Sequence, residues 1–192
     1  MLGCLIEKQL TTPDQYPLSL NSLRLAANQS TNRDPVVDYD EGVIRTALER
    51  LGDRGWTRLA SGPGSRAVKF RHLLDEALQL TRPQLALLAV LMLRGPQTTA
   101  ELRARCERLD SFASVDVVAD ELSTLAGREL VQLLSRRPGE RGERWRQLLG
   151  EESEAVDVAP APGGAVDSAE ARIAELERRL DQLETRLEAA GL

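Results

Sequence analysis

The sequence predicts a mostly helical α+β protein in which one small unit, three helices followed by a two-stranded hairpin, occurs twice. Three observations predict it. First, VIRTALERLGDRGWTRLASGPGSRAVKFRHLL (residues 43–74) is echoed about 74 residues later by VVADELSTLAGRELVQLLSRRPGERGERWRQLL (residues 117–149). Val43 matches Val117, Ile44 matches Val118, Leu48 matches Leu122, Leu51 matches Leu125, Trp56 matches Leu130 and Leu59 matches Leu133. After a turn one residue longer in the second copy, Phe70 matches Trp145. Second, in each copy apolar residues at helical spacing give way to two short alternating runs around a Gly/Pro/Arg turn. Third, the chain before each echo holds two more helical patterns. A helix followed by strand, turn and strand is the second half of a winged helix, so the chain reads as tandem winged-helix domains with hairpin wings, residues 1–80 and 81–150.

In the first unit, Leu2, Leu5, Ile6 and Leu10 form the apolar stripe of a helix that ends near Thr11-Thr12-Pro13, because proline disfavours helix before it. Ser19 caps a second helix carrying Leu20, Leu23 and Ala27. After a loop with Asn28, Ser30, Asn32, Asp34 and Pro35, either Asp38 or Asp40 caps a third helix. Its inward residues are Val43, Ile44, Ala47, Leu48 and Leu51, its end is marked by Gly52 and Gly55, and the hairpin turns at Gly62-Pro63-Gly64-Ser65.

The second unit follows the same plan. Thr81 with Gln84 makes a capping box, Pro83 suits the first turn, and Gly95-Pro96 stops that helix near Leu93. Thr98 with Glu101 makes a second capping box for a helix holding Leu102 and Cys106, and the third helix carries Val115, Val118, Leu122 and Leu125. The final hairpin turns between Arg137 and Gly142. The first helix spans about 13 residues in the second unit and only about 9 in the first. Met1 therefore reads as lying inside a helix whose true start is upstream, which would leave the first helix incomplete.

Residues 151–168 combine acidic residues, Pro, Gly and Ala without periodicity and read as a flexible linker. In residues 169–192, Ile173, Leu176, Leu180, Leu183 and Leu187 recur at spacings of three and four, the seam of a short coiled coil. Arg172 and Arg179 would meet Glu177 and Glu184 of a parallel partner, whereas an antiparallel pair sets like charges together, so the sequence predicts a parallel homodimer. A lone amphipathic helix folded onto its own body is the alternative.

The chain has 192 residues, 25 basic and 30 acidic, for a net charge of −5. Residues 1–80 hold 10 basic and 10 acidic side chains, residues 81–150 hold 11 and 9, and residues 151–192 hold 4 and 11, so the excess acid sits in the tail. A neutral body still binds DNA if its cations gather in a patch. No apolar run approaches a membrane span, and the start lacks a basic region followed by a cleavage site, so a cytoplasmic protein without membrane contact is expected. Cys4 and Cys106 are expected to be reduced and buried, with no metal ligand set.

The stretches LGCLIEKQLTTPDQYPLSLNSLRLAANQSTNRDPV (residues 2–36) and LMLRGPQTTAELRARCERLDSF (residues 91–112) resemble the YceH-like family of bacterial proteins, uncharacterised and of tandem winged-helix fold. The similarity runs over residues 2–149. It implies that fold and a bacterial cytosolic origin, and it brings no reaction, ligand or catalytic residue to carry over. Members usually have more chain before the segment beginning here at Leu2.

Enzyme chemistry is poorly supplied, and neither a catalytic residue nor a cofactor is expected. His72, the single histidine, reads as a half-exposed strand residue beside outward Lys69 and Arg71. No phosphate-binding loop, zinc spacing or nucleophile elbow is present, and Gly62-Pro63-Gly64 precedes a strand where a phosphate cradle needs a helix. With six aromatics in the chain there is no platform for stacking single-stranded bases.

Double-stranded DNA is the expected partner, of a regulator or a chromosome-associated factor. On the first unit's third helix, Arg45, Thr46, Glu49 and Arg50 face outward, the two arginines to read guanine edges or hold phosphates. On its wing Arg66, Lys69 and Arg71 would grip phosphates, with Val68 and Phe70 turned inward. In the second unit Asp116, Asp120 and Glu121 make a poor recognition helix, leaving Arg136, Arg137, Arg141, Arg144 and Arg146 of the wing for non-specific contacts. The polar residues Asp14, Gln15, Tyr16, Asn21, Asn28, Asn32 and Arg33 read as loop capping before they read as a binding surface. The competing expectation is a protein docking scaffold, which a large exposed apolar patch would favour over a continuous basic face.

Overall fold

The computed structural model describes residues 1–60, 68–136 and 142–150. The hairpin turns, with Arg66, Arg137 and Arg141, the linker and the coiled-coil seam Ile173, Leu176, Leu180, Leu183 and Leu187 lie outside the described residues. The chain divides into Met1–Glu151, the body treated below, and Glu152–Leu192.

The body is mixed helix and small antiparallel sheets. Helix α1 (Leu2–Thr11) leads through a 3₁₀ turn (Pro13–Gln15) to β1 (Leu18–Ser19), α2 (Leu20–Ala27), α3 (Glu41–Asp53), β2 (Thr57–Leu59) and β3 (Lys69–His72). A connecting helix α4 (Leu74–Leu78) precedes α5 (Arg82–Arg94), α6 (Thr99–Cys106), α7 (Val115–Gly127), β4 (Val131–Leu134) and β5 (Arg144–Gln147).

The helix starts are where short polar side chains can accept from the free N–H groups of the first turn. Ser19 accepts from Ser22 N–H, Asp40 from Val43 N–H and Ser114 from Val117 N–H. Asp40 is thus the cap of α3, while Asp38 accepts from the Asn28 amide. Both capping boxes, Thr81 with Gln84 and Thr98 with Glu101, are reciprocal.

The first sheet has the order β1-β3-β2, antiparallel throughout, and the second pairs β4 with β5. Leu59 stands opposite Phe70 and Thr57 opposite His72; in the second copy Leu133 stands opposite Trp145 and Val131 opposite Gln147. The repeat therefore extends to strand register. The third strand is where the copies part: β1 pairs Leu18 with Phe70, but its counterpart is a single bridge between Gln97 and Trp145.

Helix α1 joins the copies. Its Cys4 and Leu5 pack with Leu18, Leu23, Ala26, Ile44 and Leu48, while Leu2 and Ile6 join the larger core built on α5 and on Leu102, Val118, Leu122 and Leu125. Leu85 to Leu91 of α5 are buried on every side, as a helix must be when it is apolar all round. Gly3 permits the close approach of α1 and α5, since a Cβ there would lie 3.0 Å from Leu93 Cγ and Met92 Cβ. Cys4 and Cys106 are free, buried thiols, and burial pushes Cys106 up to about 12.

Several side chains are not where alternation and helical spacing predict. Val43 is 46% exposed, because it stands beside the buried line set by Ile44 and Leu48 and on the flank of α3; Val115 of α7 is likewise exposed. Val68 is 52% exposed, since it precedes the first paired residue of β3. His72, expected to be half exposed, is 1% exposed, because α1 and α4 close over the end of its strand. Arg71 does not point freely outward: it is bound to Glu76 of α4. No described helix is long and apolar enough to cross a membrane.

Candidate nucleic-acid interface

Helix α3 is anchored by Ile44 and Leu48 and leaves Arg45, Thr46, Glu49 and Arg50 exposed, as the spacing predicts. It stands between two concavities. One, of about 790 Å³, runs between α2, α3 and the hairpin strands and is lined by Leu20, Arg45, Leu48, Leu59, Val68 and Phe70. The other, of about 850 Å³, takes in Val43, Thr46 and Arg50 of α3 together with Trp56, Met92 and Leu149. With solvent on both flanks, α3 is a ridge.

The strands add cations. Arg58 of β2 stands directly opposite Arg71 of β3, so the two share a sheet face with Lys69, one period of two away. Arg58 is exposed and is not among the cations singled out from the sequence, although the run Thr57-Arg58-Leu59 followed by the echo would have placed it outward. Lys69 is half-buried. Arg45, Arg50, Arg58 and Lys69 make no ion pair among the described residues, whereas Arg54 stacks over Trp56 at 5.3 Å and donates to the Leu149 carbonyl.

Most of the described arginines of the second unit are bonded within the body. Arg82 pairs with Asp110 at 3.4 Å, Arg103 donates to the carbonyls of Phe112 and Ala113, and Arg128 to that of Leu78. Arg144, predicted to touch phosphate, bonds Glu101 at 2.9 Å and the Pro96 carbonyl; Arg146 donates to Gln132. Burial raises the Glu101 carboxyl, but the Thr98 N–H and the Arg144 charge outweigh it and hold the group below its ordinary range. Arg108, in the loop after α6, has no such partner among the described residues. On α7, Asp116 and Asp120 are exposed, and Glu121 is half-buried against the Gln84 amide.

The amide-rich loop of the first unit serves the fold. Asn28 bonds Tyr39 through both its side-chain carbonyl and amide, and Asn32 takes φ +58°. Arg33 is buried in a two-pronged pair with Glu7, at 2.7 and 3.3 Å, and also donates to the carbonyls of Ala26 and Asn32. It is closed to a ligand. A neighbouring buried cluster centres on His72, whose backbone N–H donates to the Tyr16 hydroxyl oxygen, whose Nε2 bonds the Gln9 side-chain Oε1, and whose Nδ1 accepts from Leu74 N–H. Burial lowers the His72 pKa against the opposing pull of Asp75, and burial pushes Tyr16 up to about 12. Every ring atom that can bond is thus occupied within the fold. Among the described residues no three His, Cys, Asp or Glu side chains are grouped to hold a metal.

Comparison with known proteins gives a family. A family described as "Protein of unknown function, DUF480" matches residues 1–140. A UPF0502 protein of Geotalea uraniireducens (strain Rf4) is 49% identical over 164 residues, covering 84% of this chain and 74% of its own. UPF0502 proteins of Pseudomonas syringae pv. tomato and Pseudomonas aeruginosa (strain UCBPP-PA14) are 42% and 48% identical. These cover 96% and 91% of this chain, and 89% and 82% of their own lengths.

Proposed function

The chain belongs to the DUF480 family, and we propose that it binds double-stranded DNA, as a regulator or chromosome-associated factor, through α3 and the adjoining strands of its first unit. A winged-helix reading is supported by the first unit's order of helix, short strand, helix, helix and hairpin, with the hairpin's second arm in the middle of the sheet; the second unit repeats the three helices and the hairpin, with a single bridge at Gln97 where the short strand would be. One observation carries the reading: among the described residues Arg45, Arg50, Arg58 and Lys69 have no acid to hold them, on and beside an exposed helix of the width a major groove admits. Such cations gain from releasing the counterions of a phosphate backbone and give up no ion pair within the described residues to do so. The parallel seam read from residues 169–192 would present two such faces in one assembly, and no catalytic step is assigned.

A protein docking role is the second reading, and the apolar groove beside α3 favours it. Leu59, 61% exposed, and Val68 line that groove, and apolar side chains there gain more from a protein partner than from phosphate.

Fluorescence anisotropy with a mixed-sequence duplex, over about 50 to 200 mM salt, separates the two readings. The DNA reading expects binding near ~10⁻⁶ M or tighter at the low end, weakening steeply as salt rises. Absence of binding at about 50 mM salt would give the docking reading precedence.

A further inference from the structure

A small cleft of about 40 Å³ lies where the two copies meet, away from α3. The first copy lines it with Glu7 and Asn32, and the second with Arg94 at the end of α5, Arg105 of α6 and Arg108 in the turn that follows. Buried Val90 and Leu109 supply an apolar wall. Three guanidinium groups thus share one small space.

Their charges are not balanced by the acids around them. Glu7 is held on both oxygens by Arg33, at 3.3 and 2.7 Å, with Lys8 at 3.6 Å. Glu101 is bonded to Arg144 at 2.9 Å and to the Thr98 N–H, and its other oxygen stands 3.9 Å from Arg105, beyond hydrogen-bond length. Asp34 pulls on Arg94 through space, but it is exposed, outside the cleft lining and in no ion pair among the described residues. Burial first, and then the charge of Arg105, hold the Arg94 guanidinium below its ordinary range. Arg94 donates to Asn32 Oδ1, and Arg108 has no hydrogen bond or ion pair among the described residues. Most of the donors on these three forks are left without an acceptor there.

Size and charge choose the ligand. A space of about 40 Å³ has room for roughly three waters, hence for one tetrahedral oxyanion and not for a base or a sugar. A carboxylate brings a single charge and two oxygens, whereas a phosphate monoester brings about −1.5 to −2 and three free oxygens, which planar arginine forks match in pairs.

We propose that the cleft between α1, α5 and α6 binds one phosphate group, free or as the end of a small molecule, through Arg94, Arg105 and Arg108. The anion relieves the repulsion among the three cations and ties Arg105 and Arg108 to Arg94, which Asn32 already links to the first copy. The bound phosphate therefore fastens the junction of the two copies. This site does not depend on the DNA reading.

Thermal melts of the full-length chain test it, with inorganic phosphate or glycerol phosphate added to a phosphate-free buffer and ionic strength held constant with chloride. The melting temperature should rise and saturate, by roughly 3–6 °C once the probe is about tenfold above its dissociation constant. The larger rise at equal concentration tells whether the free ion or the monoester is the better ligand. Arg108→Gln, at an exposed site, should melt within about 2 °C of the parent without phosphate and lose most of the saturable rise, as should Arg105→Gln. No rise in the parent, a rise that stays linear as expected of general exclusion of phosphate from the surface, or a saturable rise unchanged in either variant overturns the proposal.

Discussion

In the second copy of the repeated unit Arg82 holds Asp110, Arg103 holds two carbonyls of its own loop and Arg144 holds Glu101, whereas in the first copy Arg45, Arg50, Arg58 and Lys69 have no such hold among the described residues. At the repeat offset, Arg45 becomes Ala119, Thr46 becomes Asp120, Arg50 becomes Thr124 and Arg58 becomes Gln132. Helix, hairpin and register are kept while the outward face is rewritten. Cation content alone therefore misleads, because an arginine bonded within the fold must lose those bonds before it can hold a phosphate. The copies share helices, hairpin and register and differ in what their surfaces have left to offer.

The sharpest stability test of this distinction uses a first-unit arginine that is bonded inside. Arg33→Ala leaves the buried Glu7 carboxylate with only Lys8 at 3.6 Å and should cost up to about 3–5 kcal/mol in chemical denaturation. Next, Arg45→Ala, Arg50→Ala, Arg58→Ala and Lys69→Ala combined should leave the denaturation midpoint close to the parent's. They should flatten the salt dependence of duplex binding by up to about 0.9 log unit for each phosphate that is no longer neutralised. Equal loss of stability from that combination would erase the distinction. The reverse case is Arg144→Ala, whose half-exposed pair with Glu101 is worth at most about 1 kcal/mol and whose removal should not change duplex affinity.

The smallest effect separates the copies by pH. Only the first contains a histidine, and burial holds the His72 pKa below its unfolded value of about 6.5, so the unfolded chain takes up the proton more readily. His72 thus contributes stability that is complete above pH ~6.5 and lost as pH falls through that value toward the folded pKa, by at most about 1.4 kcal/mol per pH unit. Thermal melts at pH 7.5 and 5.5 should differ more in the parent than in His72→Gln.

What the sequence made legible follows from which signals are local. Caps at Ser19, Thr81 and Thr98, and helix ends at Gly55 and Gly95, are decided by a side chain and its nearest backbone, and they were readable. So was the outward set on α3, because Ile44 and Leu48 define the buried line and the rest follows by rotation. The strand β1 was not, since two residues carry no alternation and Ser19 already reads as a cap. Nor were the burial of His72 or the capture of Arg71 and Arg144, which depend on Gln9, Glu76 and Glu101, brought near only by the tertiary fold. Periodicity tells which way a side chain leaves the backbone; it does not tell what waits there.

The central claim is that α3 of the first unit, and not α7 of the second, is the face that meets DNA. Amide hydrogen exchange of the full-length chain, with and without saturating duplex, tests it most directly, because both helices are read in one experiment. The account predicts slowed exchange concentrated in Glu41–Asp53 and Thr57–Leu59, with Val115–Gly127 unchanged. Protection centred on Val115–Gly127, or confined to neither helix, would contradict it.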